Sequence, residues 1–161
     1  AAVANVNDVP IGTVSIIGTA TEDETLTASH TLADEDGLGT INLQWNRDGS
    51  QIDGATGSSY TLTQADVGSV ITVTASYTDD QSTPESVTSD PTAAVANVND
   101  VPIGSVSNIG TAPDDEKLTA SHTLADEDSP GTLNLEWHCG GSQVDGATGS
   151  SYTLPQADVG C

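Results

Sequence analysis

Apolar and polar residues alternate with a period of two in short runs along this chain, and clusters of Gly, Asp and Pro separate the runs. Val14 to Ile17 predicts a first strand, and Leu26, Ala28 and Leu32 space out a second. Ile41, Leu43 and Trp45 alternate with Asn42 and Gln44, so one face of that run is apolar and the other polar. Tyr60 and Leu62 mark another strand, and Ile71, Val73, Ala75 and Tyr77 alternate with Thr72, Thr74 and Ser76. Val87 and the stretch Ala93–Val98 complete the set. Turn chemistry falls at Arg47–Ser50 and Asp53–Gly57, with Asp48-Gly49 a tight-turn pair. No period-3.6 stripe competes. The expected fold is an all-β antiparallel sandwich, with Trp45 at the centre of one thin core.

The pattern occurs twice. Ala1–Gly12 returns letter for letter at Ala93–Gly104, and the match continues without a gap at an offset of 92. Of the 69 aligned pairs, 54 are identical. A period of roughly 90 is too long for a solenoid turn and suits a small autonomous β domain. The second copy reaches Cys161, opposite Ser69, and holds no counterpart of Val70–Thr92. The expected organisation has residues 1–8 as the last strand of a preceding repeat plus a linker. Residues 9–100 then form a complete repeat, and 101–161 a second one truncated before its last two strands. With no Met in the chain, we expect a window onto a longer array.

Charge narrows the partners. The 24 acidic side chains face two basic ones, Arg47 and Lys117, for a net charge of −22. A phosphate backbone needs a basic stripe, so nucleic acid is an unsuitable partner, and anionic membrane surfaces are disfavoured on the same ground. No apolar run approaches the roughly 18 residues of a membrane span, and no charged-then-apolar leader begins the sequence. Fourteen acids fall in residues 1–92 and ten in 93–161. Folding concentrates this like charge and opposes compaction. Screening salt or specific divalent cations must offset it.

The motifs Leu43–Gln–Trp45–Asn–Arg47–Asp–Gly49, Tyr60–Thr–Leu62 and Asp66–Val–Gly68 resemble the central strands and E–F corner of immunoglobulin-like domains. The resemblance implies a Trp packed between two sheets and an Arg47–Asp66 salt bridge. The inter-sheet cysteines of that family are replaced by Ala28 and Val73. More narrowly, the whole repeat is similar to tandem immunoglobulin-like or cadherin-like repeats of large bacterial surface adhesins. That similarity implies an extracellular, cell-surface location.

The junction Ala96–Asn97–Val98–Asn99–Asp100–Val101–Pro102 resembles cadherin linkers, which bind calcium between successive domains; the first copy offers Asn5, Asn7 and Asp8 before Pro10. Cadherin-like domains also carry an Asp-x-Asp loop near the linker, and Asp126 and Asp128 fit that role. Each copy adds acidic triplets, Glu22–Asp23–Glu24 and Asp34–Glu35–Asp36 in the first. Calcium takes roughly six to eight oxygens from carboxylates, amides and carbonyls, which loops of alternating acids deliver without strain. The expected Ca2+ ligands are therefore Asn97, Asn99, Asp100, Asp126, Asp128, Glu22, Glu24, Asp34 and Asp36. The competing reading is a set of solvated loop acids.

Cys139 and Cys161 occur only in the second copy, opposite Arg47 and Ser69. If Arg47 meets the corner acid as the resemblance implies, Cys139 comes within reach of Cys161, and a disulfide would suit an oxidising compartment; unpaired thiols are the alternative. His138 with these cysteines is a poor zinc pattern, and His30 and His122 read as strand residues. No Gly-x-Ser-x-Gly elbow, phosphate loop or acid–base pair in an apolar pocket is present, so no enzyme is expected. Carbohydrate binding would want an exposed aromatic platform, and the chain has five Trp and Tyr side chains in all. The leading expectation is a non-enzymatic extracellular repeat of an adhesin-like protein, a calcium-stiffened extender with like repeats as neighbours. The alternative is a subunit of an extracellular filament, a homo-oligomer in which neighbouring chains complete the truncated repeat. In that alternative the first eight residues lend a last strand but cannot also replace the strand before it.

Overall fold

A computed structural model of the chain describes residues 3–129 and 131–160. It divides into two units, 1–98 and 99–161. Unit 1 contains β1 (Val14–Ile17), β2 (Thr25–His30), β3 (Asn42–Arg47), β4 (Ser50–Gln51), β5 (Ser59–Thr61), β6 (Ile71–Thr78) and β7 (Pro84–Thr88). They form two antiparallel sheets, β1-β2-β5 and β4-β3-β6-β7. The fold is an all-β sandwich.

The alternating apolar positions explain the layers. Along β6, Ile71, Val73, Ala75 and Tyr77 are buried while the residues between them face outward. Trp45 of β3 pairs with Val73 across the sheet and is fully buried, with its Nε1 donating to Gly57 O at 2.9 Å. Leu26 and Leu62 meet it from the facing layer, and Val95 closes the cluster. Each large aliphatic side chain removed from water here contributes about 1.5–3 kcal/mol. The Tyr60 ring lies 5.9 Å from that of Trp45, tilted by 31°.

The stretch 93–98, expected as a closing strand, pairs through two isolated parallel bridges, Val67 with Val95 and Thr21 with Ala96. The Arg47–Asp66 contact is present, at 2.7 Å.

Unit 2 contains β8 (Val106–Ile109), β9 (Lys117–His122), β10 (His138–Cys139), β11 (Ser142–Gln143) and β12 (Ser151–Thr153). β8 and β9 keep the register of β1 and β2, with Val106 opposite His122 as Val14 is opposite His30. Residues 134–137, which align with the start of β3, form no strand. The reason is pairing: β3 is held along its whole length by β6, and no described residue of unit 2 aligns with β6. Its apolar residues are open in consequence. Val106 is 56% exposed where Val14 is 5%, and among the hydrophobic residues described in unit 2 only Leu118 is buried.

Cys139 sits on β10 and is not a free thiol. The partner expected for it, Cys161, lies outside the described residues. Among the described residues no helix is long and apolar enough to cross a membrane.

Candidate metal centre

In unit 1 the loop after β2 meets the β6–β7 turn, and both carry acids. Asp34 and Asp36 form an Asx turn, in which Asp36 N donates to Asp34 Oδ1 at 2.9 Å. Asp80 N donates to Asp36 O at 3.1 Å, joining the two loops. Gly37 permits this approach: its φ is +99°, and a Cβ there would stand 2.4 Å from Asp80 Oδ2.

The segment ahead of β1 is strapped to the same carboxylates. Asn5 Nδ2 donates to Asp36 Oδ1 at 2.8 Å and Asp8 N to Asp36 Oδ2 at 2.7 Å. Asn7 Nδ2 donates to Glu85 Oε1 at 2.9 Å. Asp36 is buried and its two oxygens are both engaged.

Asp79 is the unusual member. It is 5% exposed, and its Oδ1 closes the turn by accepting from Gln81 N and Thr83 N at 2.9 and 2.7 Å. Its Oδ2 is buried with no hydrogen-bond partner. An orphaned buried carboxylate oxygen is costly and calls for a partner. Nearby, Tyr77 donates its hydroxyl to Asp34 Oδ2 at 2.5 Å. Desolvation raises the Tyr77 hydroxyl far above the ordinary tyrosine value, reinforced by that bond and by the charges of Asp34, Glu85 and Asp79. Three carboxylates thus act on one phenol. The only Lys or Arg of unit 1, Arg47, is engaged with Asp66. Hard, anionic oxygen donors with no compensating cation are the donor set that suits calcium.

Unit 2 repeats part of this arrangement. Asp128 N donates to Asp126 Oδ1 at 3.0 Å, and Asp100 N donates to Asp128 Oδ2 at 2.6 Å. Asp128 Oδ1 is buried without a partner. Glu127 brings a carboxylate oxygen within 4.8 Å of one on Asp100. No described residue of unit 2 aligns with Tyr77 or Asp79.

The expected ligands therefore separate into groups. Asp34 and Asp36 come together in unit 1, and Asp100, Asp126 and Asp128 in unit 2. Glu22 is buried, with Oε2 accepting from Val98 N at 3.1 Å. Glu24 is exposed and engaged through its backbone alone. Asn97 is exposed, and Asn99 turns its amide to Asp100 O at 2.7 Å.

The sequence reading missed Asp79, Tyr77 as its neighbour, Glu85 and the role of Glu127. The available signal for Asp79 was its place directly after the alternating run of β6, where an acid closing a strand end faces the preceding loop. Compared with models of known protein families and with characterised proteins, the chain matches none.

Proposed function

We propose that this chain is a non-enzymatic structural segment of an extracellular, adhesin-like protein, and that calcium held by its loop carboxylates stiffens it. In unit 1 the loops concerned are those of Asp34–Asp36 and of Asp79, joined by the bond from Asp80 N to Asp36 O. Bound there, the ion supplies positive charge to acids that otherwise repel one another, and fixes the strap of residues 5–8 that leads into the sandwich. A stiffened lead-in is what an extender requires, because it removes hinge freedom ahead of each folded unit. The observation that carries this reading is the buried, unpartnered Asp79 Oδ2.

The test is calorimetric titration of the whole chain with CaCl2, MgCl2 as comparator, and thermal unfolding in calcium and in EDTA. Saturable calcium binding in the range of extracellular modules, with a Kd on the order of 0.1–1 mM, and a higher Tm in calcium are the expected results. Identical melting in calcium and EDTA overturns the proposal.

A further inference from the structure

We propose that the Asp53–Gly54 turn, with its copy Asp145–Gly146, is a site of covalent self-modification, in which the aspartate rearranges to isoaspartate and loosens the loop that clamps the core tryptophan. The chain carries four Asp-Gly pairs, at 36–37, 48–49, 53–54 and 145–146. A glycine has no side chain to shield its amide nitrogen, so that nitrogen can reach the carboxyl of the aspartate before it. The fold treats the four pairs differently.

Ala55 N donates to Ile52 O at 3.2 Å, which puts Asp53 and Gly54 at the centre of a β-turn, with Gly54 at φ +71°. Unit 2 builds the same turn: Ala147 N donates to Val144 O at 3.2 Å, and Gly146 also has φ +71°. Both aspartates are exposed, and a Cβ on either glycine would meet nothing within 4 Å. Among the described residues neither carboxylate has a hydrogen-bond or ion-pair partner, and neither glycine N–H is hydrogen-bonded. Nothing holds the two reacting groups apart.

The other two pairs are tethered. Asp36 is buried, Asn5 Nδ2 and Asp8 N hold its two oxygens, and Gly37 N is bonded to Asp34 O at 3.2 Å. Asp48 is exposed, but Val70 N donates to its Oδ1 and its own N donates to Val70 O, each at 3.0 Å. The Val70 bond, helped by Ser69, holds the Asp48 carboxyl below its ordinary value. That keeps it ionised, the form whose oxygen leaves poorly. Asp48 must also release Val70 before its carboxyl carbon can turn to Gly49 N, and losing that bond is expected to slow its rearrangement about tenfold.

In the first step the Gly54 nitrogen bonds to Asp53 Cγ. The protonated carboxyl loses its hydroxyl, which leaves as water with the proton of the N–H. Water then opens the five-membered imide. Opening at the Asp53 main-chain carbonyl breaks its bond to Gly54 N, so the chain now runs through Cγ and an α-carboxylate is released. Nothing is oxidised or reduced, water is the only co-reactant, and the mass is unchanged.

The new link adds a methylene to the main chain inside a tight clamp. Ala55 O accepts from Trp45 N at 2.9 Å, Ile52 N donates to Trp45 O at 3.0 Å, and Gly57 O accepts from the indole Nε1 at 2.9 Å. These residues flank the site on both sides, so lengthening the chain between them displaces their bonds to Trp45. Val144, Ala147 and Gly149 hold Trp137 in the same way. Rearrangement at 53 and 145 uses none of Asp34, Asp36 and Asp79, so this inference and the calcium reading stand or fall separately.

The test is ageing of the whole chain at mildly acidic pH and below its Tm. Samples taken over time are digested, isoaspartate is located by electron-transfer mass spectrometry, and its total is counted with an isoaspartyl methyltransferase and labelled methyl donor. Asp53 and Asp145 are expected to accumulate isoaspartate, Asp48 about tenfold more slowly, and Asp36 none. The aged chain is expected to melt below the fresh one. The double variant Asp53→Glu with Asp145→Glu, whose longer side chains need a six-membered ring, is expected to keep its Tm on ageing. Asp53 staying intact while a free peptide of residues 50–58 converts overturns the proposal. So does Asp48 converting as fast as Asp53, or the double variant losing Tm as the wild type does.

Discussion

Arg47 grips a single oxygen of Asp66: Nε and Nη2 both lie 2.7 Å from Oδ1. The other oxygen, Oδ2, accepts from the Tyr60 hydroxyl and from both the backbone N–H and the hydroxyl of Thr63, at 2.8–2.9 Å. One fully buried carboxylate therefore ties β3, β5 and the corner turn together. Asp66→Ala is expected to cost about 3–5 kcal/mol, since it strands several donors at once. Arg47→Ala leaves three of the five bonds to the carboxylate and is expected to cost about 1–2 kcal/mol. Hydrogen exchange of β6 amides reads both, and equal losses would contradict this ordering.

The titration of the same network sets a pH window. Desolvation alone would raise the Asp66 carboxyl, but bonds from Thr63 N–H, Arg47, Tyr60 and the Thr63 hydroxyl outweigh it, and its pKa lies below 3.8. That contribution to stability is present above pH 3.8 and is lost as pH falls through the depressed value. Tyr60 moves the other way, raised above 10.0 by desolvation and by its bond to Asp66. Tyr152, bonded to Asp158 at 2.6 Å, is raised too, first by that bond. Raised tyrosines stabilise fully below pH 10 and lose the contribution as pH climbs through their folded values. Denaturation monitored from pH 2 to 12 is expected to show stability falling at both ends, with tyrosine ionisation by absorbance delayed until unfolding at the alkaline end.

Gly39 and its counterpart Gly131 make a matched pair. A Cβ on Gly39 would sit 2.1 Å from Thr78 O, whereas one on Gly131 would meet nothing within 4 Å. Gly39→Ala is expected to cost about 2–3 kcal/mol through overpacking against backbone. Gly131→Ala should change stability by less than about 0.5 kcal/mol. Urea titrations of the two variants compare them directly.

Asp79→Asn separates charge from packing. It keeps an oxygen for Gln81 N and Thr83 N and removes one negative charge from the cluster. In EDTA the variant is expected to be as stable as the wild type or more so. In calcium at a hundredfold excess over Kd, the wild type gains about 2.7 kcal/mol and the variant loses most of that gain. A variant that melts below the wild type in EDTA by the same margin as in calcium would assign Asp79 a packing role alone.

The strands were legible because period-two burial leaves a direct trace. Ile71, Val73, Ala75 and Tyr77 alternate in sequence and are buried in space. Arg47 and Asp66 were legible only through resemblance, because nothing local announces a contact 19 residues apart. The acidic triplets misled in part. Glu22–Asp23–Glu24 reads like Asp34–Glu35–Asp36, yet Glu22 turns inward to Val98 N while Glu24 faces solvent. Asp79 escaped notice because a single acid after a strand carries no pattern, and only the fold reveals that its second oxygen is left without a donor. The loss of strand structure at 134–137 was likewise invisible in residues that keep the Asn, Leu and Trp of β3. A ladder needs its partner, and that information lies outside the segment.

The shared register of β1–β2 and β8–β9 has a kinetic corollary. During refolding, each hairpin strand finds two near-identical templates on the same polypeptide, so dilution does not remove the wrong one, and misassembly of this kind is characteristic of repeat chains. The few differences then serve as address labels. Ile16 packs against the core beside β2, while Asn108 occupies its place in β8. Exchanging the two strands would put an amide where the sandwich wants a hydrocarbon and leave an isoleucine in water. Mutating Asn108 to Ile would erase that label, leaving the chain with one fewer means of telling its halves apart as it folds.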